Sequence, residues 1–178
     1  MKHLLNSHEL NGKPHVAHNS GNNEWYTPAE YISAARNVMG GIDLDPASSD
    51  KANEVVQAVE YYTINDNGLS KSWHGRVWLN PPYSGKVIPQ FIEKLCLHVT
   101  HNDVNEAIIL VNNATETAWF RSLICLASAI VFPKGRVKFY MSDGKIGSPL
   151  QGQAVTYIGS KPRVFLETFS AFGWGAII

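Results

Sequence analysis

Arg76-Val77-Trp78-Leu79-Asn80-Pro81-Pro82-Tyr83 decides the fold class. Four residues of strand character run straight into two prolines, which can neither continue a ladder nor donate to one. A helix follows from about Pro89 to Val99, with Phe91, Ile92, Leu95 and Val99 at helical spacing. Next comes Ala107 to Val111, an apolar run of strand length whose composition suits burial on both faces. Strand, helix, buried strand is the pattern of a parallel β-α-β unit.

The same alternation extends outward in both directions. Upstream, Thr27-Pro28-Ala29-Glu30 starts a helix, with Thr27 as N-cap, Pro28 at the first helical position and Glu30 completing a capping box. It runs to about Val38 and stops at Gly40-Gly41. Ile42-Asp43-Leu44 reads as a short strand ending in Asp45-Pro46, and Val59 to Tyr62 as a weaker one. Downstream, Asn113 or Thr115 caps a helix through about Leu126, and Ala129 to Phe132 is a strand. Val137 to Tyr140 and Ala154 to Ile158 alternate like strands, joined by a Gly-rich loop over Asp143 to Gln153. The expected fold is an α/β sandwich with a mostly parallel sheet and an antiparallel edge.

Composition agrees with one folded unit. The chain has 178 residues, 44% hydrophobic and 17% charged, which excludes wholesale disorder. Lys plus Arg and Asp plus Glu both total 15, so any contact with a polyanion must be local. Lys134, Arg136 and Lys138 form the compact basic run. Residues 1–23 are polar, carry His3, His8, His15 and His18 at spacings that fit no compact metal site, and read as a flexible arm before a single domain at 24–178. No metal is expected. Cys96 and Cys125, in apolar surroundings, read as buried core thiols of a reducing compartment. No apolar run is long enough for a membrane span, and the N-terminus lacks a signal-peptide core, so a cytoplasmic protein without membrane contact is expected.

In parallel sheets, ligands bind beyond the carboxyl ends of the strands. Three unusual segments fall there: Asp45-Pro46, Asn80 to Tyr83 and Asn112-Asn113. Asn80-Pro81-Pro82-Tyr83 carries the sharpest chemistry. An exocyclic amino nitrogen is a poor nucleophile because its lone pair is delocalised into the ring. Acceptors aimed at its N–H groups draw that pair back. The Asn80 side-chain oxygen is one acceptor and the Pro81 carbonyl a second, with Pro82 holding the backbone and Tyr83 stacking on a planar ring. Neither a metal nor a covalent intermediate is needed, because positioning and electrostatics suffice.

Several segments, in order, resemble the phage-type DNA N6-adenine methyltransferases. Asn80 to Tyr83 resembles their catalytic tetrad. Trp25-Tyr26-Thr27-Pro28 resembles the segment near the methionine end of the cofactor. Ile42 to Ser48 resembles the first cofactor strand and its acidic-Pro turn. Asp66, fourteen residues before Asn80, resembles the acidic position facing the cofactor adenine. The resemblance spans about Glu24 to Tyr157 and implies a Rossmann-like methyltransferase three-layer sandwich, S-adenosylmethionine as cofactor and double-stranded DNA as partner. It also implies a bacterial host cell, with the gene carried by phage or prophage, and protection of that DNA from host restriction. The chain departs from the family in having no glycine after Asp45-Pro46, where Ala47-Ser48-Ser49-Asp50 stands instead.

Cofactor contacts are therefore expected from Trp25, Tyr26, Thr27, Asp43, Asp45, Pro46, Ala47 and Asp66. Asp43 and Asp45, two apart on a strand, share a face. Thr27 serves as helix cap, as cofactor contact, or as both; Asp66 is either a turn residue or the adenine contact; Trp25 and Tyr26 flank the cofactor or seal the arm. In Gly135 to Tyr140, Arg136 and Lys138 suit phosphates and Phe139, with Tyr140 second, suits an extruded base; an edge strand with core aromatics is the other reading. Trp73 and Trp78 read as core. A chain this short implies short or relaxed sequence specificity, read by loops such as 143–153. Two rival functions stand beside adenine methylation: methylation of RNA guanine N2 or protein glutamine, and binding without turnover.

Overall fold

The computed structural model describes residues 25–141, 145–147 and 150–178. The expected arm and its histidines lie outside the described residues, as do residues 143–144 and 148–149 of the expected loop.

The chain begins with α1 (Ala29–Met39), β1 (Leu44–Asp45), α2 (Asp50–Val56) and β2 (Glu60–Tyr61). A 3-10 turn at Gly68–Ser70 leads to β3 (Gly75–Leu79), α3 (Ile88–Thr100) and β4 (Val104–Asn112). Then come α4 (Ala118–Leu126), β5 (Ala129–Pro133), β6 (Phe139–Tyr140), β7 (Ile146–Gly147), β8 (Gln153–Ile158), α5 (Pro162–Phe169) and β9 (Gly173–Ile177). The central sheet has seven strands in the order β2-β1-β3-β4-β8-β5-β9. β2, β1, β3 and β4 pair in parallel; β8 is antiparallel to both β4 and β5, and β9 is antiparallel to β5.

Alternation along β4 builds the three layers. Ile108 and Leu110 face one apolar cluster with Ile32, Ala35, Val38, Phe165 and Phe169 of α1 and α5. Ala107, Ile109 and Val111 face the other, with Phe91, Ile92, Leu95, Phe120 and Leu123 of α3 and α4. The mostly parallel sandwich with an antiparallel edge is as expected, but the edge strand is β9. Ala154 to Ile158 instead enters the middle of the sheet, between β4 and β5. Phe139–Tyr140 pairs with Ile146–Gly147 in a separate two-stranded ribbon.

The local signals have mixed fates. Gly40 ends α1 with φ 77, where its N–H bonds the Arg36 carbonyl, as the Gly-Gly stop implied. Thr27 does not cap α1 through its side chain: Pro28 occupies the N-cap and its carbonyl accepts from Tyr31 N at 3.1 Å. Thr117, rather than Asn113 or Thr115, caps α4 by accepting from Phe120 N at 3.3 Å. Trp73 and Trp78 are buried as expected. The cysteines are not both core: Cys125 on α4 is exposed, and Cys96 on α3 is half-buried, its Sγ turned to the Ser122 carbonyl of α4 at 3.9 Å.

Candidate active site

β1 and β3 lie side by side, so the segments after them open into one space. That space is a cavity of about 960 Å³, walled by Asp45, Pro46 and Ala47 after β1, by Asn80, Pro81, Pro82 and Tyr83 after β3, and by Trp25, Tyr26 and Thr27 from the entry to α1. Its size is near the upper end for small-molecule sites. Asn112-Asn113, the third expected wall, is absent from it. Asn112 Oδ1 instead accepts from Gln153 Nε2 at 3.3 Å, and Asn113 N bonds the Gly152 carbonyl. β4 is longer than β3 and carries its end past the cavity, where β8 covers it.

Asn80 is held from one side. Its Nδ2 donates to the Thr27 hydroxyl at 3.2 Å and to the Trp25 carbonyl at 3.4 Å. Its Oδ1 is buried and has no hydrogen-bond partner among the described residues. Such an acceptor is costly to leave unmade unless something else completes it. Tyr83 anchors its hydroxyl to the Leu110 carbonyl at 3.4 Å and stands edge-on to Phe139 at 5.9 Å between centroids. Burial pushes the Tyr83 phenol far above its ordinary range, so it stays neutral.

Asp45 is 3% exposed at the end of β1. Burial pushes its carboxyl up to about 6, against the lowering effect of the Ala47 N–H it accepts at 3.2 Å. It forms no ion pair among the described residues. Asp43 does not join it. Asp43 accepts from Arg76 N and Nε at 2.8 Å and from Nη2 at 2.6 Å, and these hydrogen bonds hold its carboxyl below the usual range. Gly75, at φ 68, lets this pair form, because a Cβ there would come within 2.5 Å of Asp43 Oδ2. Asp43 thus clasps β1 to β3 and is not a wall residue.

Asp66 closes a turn, accepting from Thr63 N at 2.8 Å and Thr63 Oγ1 at 2.7 Å, and those bonds lower its pKa. Its neighbours Thr63, Asn67, Gly68 and Leu69 form the wall in its place. Phe139 is fully buried, edge-on to Trp25 at 6.1 Å, whereas Tyr140 lines the cavity at 43% exposure. Two backbone bonds between Tyr26 and Tyr140, at 2.8 and 3.0 Å, tie the α1 entry to β6. Arg136 and Lys138 line a different, smaller hollow with Lys134 and Glu30. Lys51, Tyr62 and Leu69 are wall residues that the sequence reading missed. Tyr62 and Leu69 were within reach, since Tyr62 ends the second expected strand and Leu69 follows the Gly68 turn.

A family model described as DNA N-6-adenine-methyltransferase (Dam) matches residues 15–159. The chain belongs to this family. A Dam-family relative, the DNA N-6-adenine-methyltransferase of Escherichia phage T1, is 34% identical over 110 residues. That match takes in 61% of this chain and spans 43% of the phage protein's own length. The Dam-family segment contains every wall segment described above, from Trp25 to Met141. Membership in a methyltransferase family implies a methyl donor. No helix among the described residues is long and apolar enough to cross a membrane.

Proposed function

We propose that the protein methylates the N6 amino group of adenine in double-stranded DNA, with S-adenosylmethionine as donor. The observation that carries this reading is the buried, unpartnered Oδ1 of Asn80, whose amide is fixed from behind by Thr27 and Trp25. An acceptor oriented in advance suits an amino group whose lone pair must be freed. The cavity also suits the donor. Asp45, buried without a cation, fits its ammonium group, and the apolar walls fit a sulfonium whose charge is lost in the reaction.

When bound, S-adenosylmethionine supplies an electrophilic methyl group. The protein's own residues do the rest. Asn80 Oδ1 and the Pro81 carbonyl accept the two N6 hydrogens and localise the lone pair on N6. Pro82 keeps that carbonyl in place. Tyr83, neutral and braced by Phe139, offers a ring face to an adenine flipped out of the duplex. Tyr140 at the mouth borders the entering base. Thr27, Trp25 and Tyr26 shape the donor's amino-acid end together with Asp45, Pro46 and Ala47, and the segment from Thr63 to Leu69 receives its adenine. Arg136 and Lys138, exposed in the smaller hollow beside Glu30, meet DNA phosphates. Residues 24–178 act as one methyltransferase domain in the cytoplasm of a bacterial host, on phage or prophage DNA.

Incubation with tritiated S-adenosylmethionine and unmethylated duplex DNA, followed by nucleoside analysis, tests this. Label in N6-methyl-2′-deoxyadenosine is expected. Label confined to RNA guanine or to protein, or donor binding with no transfer to any acceptor, refutes it.

A further inference from the structure

Lys51 stands second in α2, just past the glycine-free turn. Its Nζ lies 5.3 Å from the centroid of the Tyr26 ring, and both residues line the cavity. Tyr26 precedes Thr27, whose hydroxyl holds Asn80, so this ammonium and the Asn80 amide rest against neighbouring residues of one wall segment.

We propose that Lys51 binds the carboxylate of the methyl donor's amino-acid end, an assignment that rests on the donor reading above. Two observations carry it. Lys51 is the single Lys, Arg or His of the described cavity wall, whose other ionisable side chains near this end, Glu30, Asp45 and Glu54, are acidic. Among these charged groups, an incoming carboxylate is repelled by the three acids and attracted by Lys51. Moreover, three backbone amides of the turn after β1 are already engaged. The Ala47 amide is taken by Asp45 Oδ1 at 3.2 Å, the Ser48 amide by the Tyr62 carbonyl at 2.8 Å and the Ala52 amide by Ser49 Oγ at 3.2 Å. A glycine-rich turn holds an anion with free backbone N–H groups. Here a side chain adds to what the turn offers, steadied over an aromatic face that Tyr140 fixes through two backbone bonds.

The test is calorimetric binding of S-adenosylmethionine and of its decarboxylated analogue, which lacks only the carboxylate, to the full chain. Wild-type protein is expected to prefer the intact molecule by about tenfold or more, the scale of a charge-assisted contact. Lys51→Gln is expected to remove most of that preference while leaving affinity for the decarboxylated analogue unchanged, and Lys51→Arg to restore part of it. Equal loss for both compounds would mean a structural role and overturn the assignment. So would an unchanged preference in Lys51→Gln, or a loss confined to duplex DNA affinity. Failure of wild-type protein to bind either compound would overturn the donor reading itself, and this contact with it.

Discussion

Asn80 Nδ2 donates to the Thr27 hydroxyl across 3.2 Å, and this bond leaves Oδ1 as the end of the amide without a partner among the described residues. The helix-start motif and the catalytic tetrad, 53 residues apart in sequence, thereby act as one unit. Thr27→Val keeps the shape and removes the acceptor. Methyl transfer at saturating donor should fall about tenfold, the equivalent of one hydrogen bond of about 1.4 kcal/mol. Donor affinity should fall by less than the rate does, and the thermal midpoint by no more than a few degrees. Steady-state kinetics beside a melting curve checks this.

Asp45 should make stability and donor binding pH-dependent. Its folded value of about 6 lies above the ordinary 3.8, so the folded protein holds this proton more tightly than the unfolded chain does. The resulting stability is complete below about pH 4, falls as pH rises toward 6, and is gone above; its size is on the order of 3 kcal/mol. Denaturant titrations of Asp45→Asn should lack this slope. Donor binding should run the other way, strengthening as pH rises through about 6, because its ammonium favours the ionised carboxylate. Binding curves from pH 5 to 8 should show that rise in wild-type protein and not in Asp45→Asn.

Asp43 should matter to folding and not to chemistry. Asp43→Ala leaves the partly buried Arg76 guanidinium without its clasp. A loss of about 2 kcal/mol is expected by urea unfolding. The turnover rate of the folded fraction, at saturating donor and DNA, should stay within a few-fold of wild type.

The two aromatics of β6 should separate cleanly. Phe139→Ala opens a hole between Trp25 and Tyr83 and should cost about 3–5 kcal/mol. Tyr140→Ala, at an exposed position, should leave stability within about 0.5 kcal/mol and raise KM for DNA. Unfolding curves and DNA titrations of the two variants distinguish them.

Much of this was legible because the signals were local. Leu79 followed by Asn80-Pro81-Pro82 can only be a strand end, and Ala107 to Val111 can only be a central strand, so the sheet and the main walls of the cavity follow. What escaped depended on distant partners. Ala154 to Ile158 lies between β4 and β5, and nothing in its own residues names those neighbours. Gly173-Trp174-Gly175 lacks strand propensity and becomes an edge strand only by pairing with β5. Asp43 and Asp45 do alternate as a pair, yet Arg76, thirty-three residues on, captures one of them. Thr27 fits a helix cap by every local rule, and Asn80 takes its hydroxyl instead. Lys51 carries no signal of its own in the sequence, because an exposed helical lysine is ordinary and only the fold sets it over Tyr26.

Receipt of the base's amino group by the unpartnered Oδ1 of Asn80 is the contact on which the proposed transfer depends. It is tested most directly by single-turnover methyl transfer to duplex DNA in Asn80→Ala, with affinity for S-adenosylhomocysteine measured on the same preparation. The expected rate is lower by about 10²–10³, the usual loss when one preorganised hydrogen-bonding group is removed from a reaction centre, with affinity within a few-fold of wild type. Transfer within a few-fold of wild type at unchanged affinity would contradict it.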